Sequence, residues 1–432
     1  MIRNGKPSPN HCSFCGRSKD DVIMLISGMD AQICELCVDK AGELVEQELG
    51  RPARHQQEEE QPKKSARYGG PLRLIPPGEI KSFLDEYVIG QDDAKKVLSV
   101  AVYNHYKRLL YGQKTKSPDH NEVEIEKSNV LFVGQTGTGK TLLAKSIAKL
   151  LNVPFTIVDA TVFTEAGYVG EDVESMLARL LQVCDYDVEA AERGIVYIDE
   201  IDKIARKQDN PSITRDVSGE GVQQGLLKML EGAEVLVPPQ GGRKHPEQKL
   251  LKINTTNILF ICGGAFEGID KIIARRLNTQ VIGYNKDAQQ ERIERDNLLQ
   301  YVNHQDVKHY GLIPELVGRL PVIAHLDPLD LPTLRLILTQ PRNALVRQYE
   351  KLFAMEDIRL EIQPEAVDYI AEKALEYKLG ARGLRSLCEA ILTDAMFEAP
   401  SIDQKEPRTL VIDRAYAESK LQGSRMARLK AA

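Results

Sequence analysis

No part of this 432-residue chain is apolar for the roughly 18 consecutive residues that a membrane-spanning helix needs. The first ten residues are polar and contain no apolar signal core, so the sequence favours a cytoplasmic protein with no membrane contact. An excess of positive charge is also missing, since the formal net charge is -6. General electrostatic attraction to nucleic acid or to an anionic membrane surface therefore has little support.

In the reducing cytoplasm, the seven cysteines are expected to be metal ligands and buried thiols and not disulfides. Two C-x-x-C pairs are separated by 18 residues, a spacing typical of four-thiolate zinc sites. With all four ligands supplied by protein, the zinc should be structural and should supply the folding energy of a small module. The predicted zinc ligands are Cys12, Cys15, Cys34 and Cys37. The other three are predicted to be buried in apolar runs: Cys184, Cys262 and Cys388.

Composition divides the chain into four segments. Residues 1–50 form the zinc module, which ends in a predicted helix from Asp39 to Leu49, and residues 51–76 are polar and predict a flexible linker. Residues 77–327 alternate short β-rich runs with helical patterns, which predicts a parallel sheet covered by helices. Residues 328–432 predict a smaller, mainly helical domain with strands at Ile358–Ile362 and Thr409–Ile412. The strands predicted for the sheet are Asn129–Gly134, Pro154–Asp159, Ile195–Asp199, Asn257–Cys262 and Pro321–Leu326.

A complete G-x-x-x-x-G-K-[ST] motif follows the first of these strands and precedes a helical pattern. Its glycines let backbone N–H groups converge on an anion, and the dipole of the following helix adds to the attraction. Lys140 is predicted to contact the β- and γ-phosphates, and Thr141 to ligate Mg²⁺. The predicted nucleotide-binding residues of this segment are Gly134, Gln135, Thr136, Gly137, Thr138, Gly139, Lys140, Thr141 and Leu142.

A second acidic motif lies at the end of the strand Ile195–Asp199. A carboxylate at a strand tip beside the phosphate loop can hold Mg²⁺, and this role suits Asp199. The adjacent Glu200 is predicted to orient or deprotonate the attacking water. Two acids that merely cap the next helix are the simpler alternative, but together the two motifs predict a nucleoside triphosphatase.

Two arginines indicate which class of nucleoside triphosphatase this is. Arg319 lies in Gly-Arg-Leu-Pro before the last strand of the sheet, and Arg382 lies in Gly-Ala-Arg-Gly at the start of a helix in the second domain. With the phosphate loop and Asp199-Glu200, these segments resemble the AAA+ ATPases. The resemblance implies a homo-hexameric ring, in which Arg319 reaches a neighbour's nucleotide and Arg382 senses nucleotide in its own subunit. It also implies a polar sensing residue after the fourth strand, but the sequence there reads Cys262-Gly263-Gly264, so none is assigned.

The zinc module, the Val88-Ile89 segment near the expected adenine pocket and the sequence Gly-Tyr-Val-Gly make the chain similar to the HslU/ClpX group of AAA+ protein unfoldases. The resemblance implies that Tyr168 and Val169 grip the substrate polypeptide in the pore. It also implies that a second loop favours certain tags; this loop contains Arg243, Lys244 and His245. Solvated surface charge is the alternative interpretation of that loop.

The same group docks on a ClpP-like peptidase through a loop that contains Ile-Gly-Phe. The corresponding residues here are Ile282, Gly283 and Tyr284, so an aromatic anchor is kept but gains a hydroxyl group that needs a hydrogen-bond partner if buried. The sequence thus predicts an ATP-dependent unfoldase that delivers tagged or unfolded proteins, some bound to adaptors, to a ClpP-like peptidase. Two alternatives stay open: a remodeller of nucleic-acid complexes, for which no basic domain is found, and a chaperone that works without a peptidase.

Overall fold

The computed structural model describes residues 11–28, 31–41, 68, 70, 72–112, 125–164, 171–206, 219–238, 250–280, 297–401 and 408–423. The chain forms two compact units, Met1–Ser65 and Ala66–Ala432. In the first unit, strands β1 (Leu25–Ser27) and β2 (Gln32–Cys34) pair antiparallel, with Ile26 opposite Ile33. A helix, α1, follows directly and is described over residues 35–41. The rest of the helix predicted there lies outside the described residues.

The second unit is built around a parallel sheet of five strands, in the order β4 (Phe155–Asp159), β5 (Ile195–Asp199), β8 (Leu259–Gly264), β3 (Val130–Val133) and β9 (Val322–His325). Three of its strands, β3, β5 and β8, are almost completely buried, which is typical of parallel strands covered by helices on both faces. One face packs around Val133, Ile198 and Phe260, and the other around Phe132, Tyr197 and Ile261.

Helices and one hairpin complete this part of the unit. Strands β6 (Glu234–Val237) and β7 (Leu251–Asn254) pair antiparallel. Among the described residues, no helix is both long enough and apolar enough to cross a bilayer. The helices are α2 (Pro77–Asp85), α3 (Asp92–Gly112), α4 (Lys140–Leu151), α5 (Ser175–Val183), α6 (Val188–Ala191), α7 (Glu220–Glu231), α8 (Ile269–Gln280), α9 (His304–Tyr310) and α10 (Pro314–Gly318).

The last part of the chain has a core of its own, formed by residues such as Leu338, Phe353 and Leu387. Its two strands pair in parallel, which requires the helices between them to cross over from one strand to the other. The elements are α11 (Leu331–Thr339), α12 (Leu345–Ala354), β10 (Ile358–Ile362), α13 (Pro364–Glu376), α14 (Gly380–Glu398), β11 (Arg408–Ile412) and α15 (Arg414–Gly423). A mainly helical second domain is therefore confirmed.

All five strands predicted for the sheet are present. The fourth differs most from its prediction, because residues Thr255–Asn257 form a 3₁₀ turn whose start is capped by the Asn254 side chain. As a result, β8 begins two residues later than predicted and continues through Gly263 and Gly264. The cysteines at positions 184, 262 and 388 are buried, as the apolar runs around them predict.

Candidate functional site

The phosphate-loop motif occupies the connection between β3 and α4. Gly134 has no room for a side chain, because an added Cβ would lie 2.9 Å from the Cβ of Leu326. Gly139 precedes α4 and has a φ of 105°, a left-handed conformation that glycine adopts without strain. No side chain caps the N-terminus of α4. The first backbone N–H groups of this helix are therefore open to an anion, as the motif requires.

Lys140 begins α4 and is buried. Its ammonium group donates to the carbonyl oxygen of Gly134 and, at 2.9 Å, to that of Gln135. Burial lowers the pKa of this lysine, while the carboxylates of Asp199 and Asp202 act in the opposite direction. A phosphate group would add negative charge next to a buried ammonium group, which favours the predicted phosphate contact.

Thr141 and Asp199 are brought together at the end of β5. The Thr141 hydroxyl donates to Oδ2 of Asp199 at 3.2 Å. The other carboxylate oxygen, Oδ1, accepts from the backbone N–H of Glu200 at 3.1 Å and from the Tyr197 hydroxyl at 3.3 Å. A hydroxyl and a carboxylate are hard oxygen ligands of the kind that Mg²⁺ takes alongside substrate phosphates. This donor set fits the predicted magnesium site, although the roles of the two residues stay predictions.

Glu200 is exposed and follows Asp199 directly. Its φ of 56° places it in the left-handed region, which costs a residue with a side chain roughly 1–2 kcal/mol. Backbone strain of this kind is concentrated at functional sites. The position suits the predicted orientation of the attacking water, and this role also stays a prediction.

These residues lie along one cleft of about 830 Å³, which is large enough for a nucleotide. We call it the nucleotide cleft; its walls are residues 87–89, the phosphate loop and start of α4, the acidic end of β5, and parts of α11, α12 and α14. The predicted nucleotide-binding residues that line it are Val88, Ile89, Thr136, Gly137, Thr138, Gly139, Lys140, Thr141 and Leu142. Gly134 and Gln135 are not in the lining and instead accept hydrogen bonds from Lys140.

The mainly helical domain supplies one wall of the nucleotide cleft. Arg382 lines it, and an added Cβ on Gly137 would lie 3.3 Å from the backbone nitrogen of Ala381. The start of α14 therefore touches the phosphate loop. Arg385, one helical turn later, also lines the cleft and donates to the Gln348 side chain at 2.7 Å.

Several lining residues were missed by the sequence analysis. The i, i+3 spacing of Arg385 from Arg382 places both on one helix face, and this signal could have identified Arg385. Ile337 and Leu345 belong to helices in which only apolar periodicity was visible, so nothing in the sequence separated them from ordinary core residues. Asp202 and Lys203 follow the acidic motif after one residue and extend it along the cleft.

Arg319 is not part of the nucleotide cleft of its own subunit. It follows the last residue of α10, and its side chain is 47% exposed. The guanidinium group pairs with Glu231, with Nε and Nη2 at 3.0 and 2.9 Å from the carboxylate oxygen Oε1. An accessible arginine outside its own cleft suits the predicted action on a neighbouring subunit, which stays a prediction.

The four cysteines of the first unit form a cluster in which all four Sγ atoms lie within 4.8 Å of one another. Sγ of Cys15 and Sγ of Cys34 are 3.6 Å apart, and the backbone N–H of Cys34 donates to Sγ of Cys12 at 3.3 Å. Four converging sulfur atoms fit tetrahedral Zn²⁺.

Local hydrogen bonding prepares one of these thiols for ionisation. Burial raises the pKa of Cys12, but hydrogen bonds involving the backbone of Cys15, Cys34 and Phe14 outweigh this effect and lower the pKa to about 6. The pKa of Cys37 is raised to about 12 by its hydrogen bond with Cys15 and by burial. A divalent cation is therefore needed to hold four thiolates together in this space.

Other predicted site residues lie outside the described part of the chain. They are Tyr168 and Val169, then Arg243, Lys244 and His245, and finally Ile282, Gly283 and Tyr284.

In a comparison with known proteins, a family matches the zinc-binding segment, the sheet domain and the helical domain in turn. Residues 10–47 match the family described as ClpX C4-type zinc finger, and residues 125–323 match AAA domain (Cdc48 subfamily). Residues 329–412 match the C-terminal, D2-small domain of ClpB protein.

Three bacterial proteins named ATP-dependent Clp protease ATP-binding subunit ClpX are similar over nearly the whole length. The Bacteroides fragilis protein is 60% identical over 436 residues, which cover 100% of both chains. The Bacteroides thetaiotaomicron protein is 60% identical over 98% of both chains, and the Porphyromonas gingivalis protein is 58% identical over 96% of this chain and 97% of the relative. The chain belongs to the ClpX family. As a ClpX-family protein with an AAA domain it binds and hydrolyses ATP, and its four-cysteine cluster is a C4 zinc finger.

Proposed function

We propose that this ClpX-family ATPase forms a hexameric ring that recognises proteins, unfolds them and translocates them into a ClpP-like peptidase. The observation that carries the proposal is the construction of the nucleotide cleft from two domains. Lys140 and Asp199 come from the sheet domain, whereas Arg382 comes from α14 of the helical domain. A change from ATP to ADP between these walls alters what Arg382 contacts, and so biases the angle between the domains.

In the proposed cycle, Lys140, Thr141 and Asp199 hold the nucleotide and its Mg²⁺, and Glu200 orients the attacking water. Arg319 leaves Glu231 for the nucleotide of the neighbouring subunit, where it adds positive charge to the transition state. We place the two domains that move at residues 77–327 and 328–432.

Domain movement then moves Tyr168 and Val169 along the pore with the substrate. Because folded domains are stable by only about 5–15 kcal/mol, repeated pulls at one end can unfold them. In this proposal, Arg243, Lys244 and His245 select tags at the entrance, and Ile282, Gly283 and Tyr284 dock on the peptidase. The zinc module of residues 1–50, on the linker of residues 51–76, recruits substrates or adaptors in the cytoplasm, where its thiolates stay reduced.

The test is ATP-dependent loss of fluorescence from a folded reporter protein that carries a disordered terminal tag. We expect loss of signal with the wild type and none with Glu200→Gln, which retains nucleotide but removes the carboxylate beside the water. Glu189→Gln is the matched control, because this acid is 85% exposed and pairs only with Arg193 among the contacts described for it.

An unchanged signal with several tags, despite full ATP hydrolysis, would contradict the unfoldase proposal. ATPase activity stimulated by DNA and not by unstructured protein would instead favour a remodeller of nucleic-acid complexes. Binding of a ClpP-like peptidase that is weakened by Tyr284→Ala would support the docking loop, whereas unfolding with no peptidase binding at all would identify a chaperone that works alone.

A further inference from the structure

The end of strand β8 points at the nucleotide cleft but carries no polar side chain. Cys262 is fully buried, and the next two residues are Gly263 and Gly264. A member of the AAA+ class is expected to have a polar sensing residue at this place.

Tyr197 of the neighbouring strand β5 fills the space. Its side chain is fully buried and lies along β8 towards the end of the strand. An added Cβ on Gly263 would lie 2.1 Å from the Tyr197 hydroxyl oxygen and 2.9 Å from Cζ, so no side chain fits there while the tyrosine is in place. The glycine and the tyrosine are thus structurally complementary.

The hydroxyl group faces the predicted magnesium site. It donates to Oδ1 of Asp199 at 3.3 Å. Because Oδ1 is held by this hydroxyl and by the N–H of Glu200, the other oxygen of the carboxylate is directed at Thr141. Removing the hydroxyl leaves the carboxylate held on that side by a single backbone donor among the described contacts.

Packing alone does not explain a tyrosine here. Phenylalanine would fill the same apolar surroundings, and a buried hydroxyl costs free energy unless it is hydrogen-bonded. The bond to the Asp199 carboxylate, at 3.3 Å, gives the hydroxyl a charged acceptor and offsets part of that cost.

We propose that Tyr197 is a positioning residue for ATP hydrolysis, whose hydroxyl replaces the missing side chain at the end of β8 and orients Asp199 toward the metal of the nucleotide. The inference rests on the proposed magnesium role of Asp199 and Thr141, and it holds whether the motor acts on protein or on another substrate. Outer partners of metal ligands typically change metal affinity or activity about 10- to 100-fold.

The experiment compares Tyr197→Phe with wild type in the full-length protein. Binding of Mn²⁺, used as a spectroscopic substitute for Mg²⁺, is measured by electron paramagnetic resonance with a non-hydrolysable ATP analogue present. We expect about 10-fold weaker Mn²⁺ binding and a kcat about 10-fold lower, with metal-free nucleotide affinity unchanged within about twofold.

Tyr106→Phe is the matched control, because its hydroxyl is also buried but donates to the carbonyl oxygen of Arg193, away from the cleft. If both variants lose thermal stability alike and Mn²⁺ affinity is unchanged in both, Tyr197 is only structural and the inference is wrong. Asp199→Asn distinguishes the magnesium role of Asp199 from the positioning role of Tyr197. Should it leave Mn²⁺ binding intact, the magnesium assignment itself fails; should it weaken binding while Tyr197→Phe does not, only the positioning role fails.

Discussion

Replacing Asp202 by asparagine tests how the end of β8 is held against the nucleotide cleft. The side chain of Asp202 is 1% exposed, and its two carboxylate oxygens accept hydrogen bonds from different backbone groups. Oδ1 accepts the backbone N–H of Ala265 at 3.1 Å, and Oδ2 accepts that of Phe266 at 3.3 Å. An added Cβ on Gly264 would lie 2.6 Å from Oδ1, so the carboxylate packs directly against bare backbone.

The asparagine side chain has the same shape but only one acceptor oxygen. Its NH₂ group must face one of the two backbone N–H donors, which leaves that donor unsatisfied in the interior. A hydrogen bond to a charged group contributes about 1.5–3 kcal/mol, and an unsatisfied buried group costs a similar amount. Losing the desolvation cost of a buried charge offsets part of this, so we expect a net loss of about 2–3 kcal/mol. For a domain of this size that corresponds to a Tm lower by roughly 4–12 °C.

The assay combines thermal unfolding with ATPase kinetics. Because Ala265 and Glu267 line the nucleotide cleft, displacement of this turn should also raise the KM for ATP. Asp270→Asn is the control, since this acid is exposed in the first turn of α8. A Tm for Asp202→Asn within about 1 °C of wild type would refute the reasoning, because two buried acceptors would then contribute nothing measurable.

Two further predictions concern the zinc finger and the half-buried Lys127. The full-length protein should contain one zinc per chain and should lose it as acid protonates the thiolates. Tight zinc binding should be lost in Cys15→Ser but not in Cys388→Ala, as measured by elemental analysis after dialysis. An unchanged zinc content in Cys15→Ser would exclude the four-cysteine cluster as the zinc site. Burial lowers the pKa of Lys127 from 10.5 to about 7, so the folded state binds fewer protons than the unfolded state between these values and stability should rise with pH across that window. Lys127→Met should therefore be stabilised most over wild type below pH 7 and lose the advantage toward pH 10, by at most about 1.4 kcal/mol per pH unit. A stability difference that stays constant with pH would contradict the shift.

The sequence was most informative where chemistry demands a fixed local spacing. Two C-x-x-C pairs locate a zinc site, and the phosphate loop locates a strand, a turn and a helix N-terminus in one motif. Both are local, so no knowledge of the tertiary fold is needed to read them. The acidic pair at the end of β5, Asp199 and Glu200, was found for the same reason.

Residues that reach the cleft from distant parts of the chain could not be found in this way. Ile337 and Leu345 enter its lining only because the helical domain packs against the phosphate loop. The glycines at the end of β8 carry no positive signal in the sequence, since the reason for them is a tyrosine 66 residues earlier that lies over Gly263. Such complementarity is a property of two neighbouring strands and not of either segment.

Asn129 shows how far such connections extend. It is buried immediately before β3, and its amide group donates to the carbonyl oxygens of Leu230 and Arg319 at 3.2 and 2.9 Å. Its side-chain oxygen accepts the backbone N–H of Phe260 at 3.3 Å. The strand that carries the phosphate loop is thus bonded to the backbone of the arginine proposed to reach the neighbouring subunit. Because a buried amide that loses a partner is costly, Arg319 and the start of β3 should move as one body. A change in the nucleotide contacts of one subunit would then shift the Arg319 side chain that this subunit is proposed to extend to the neighbouring subunit.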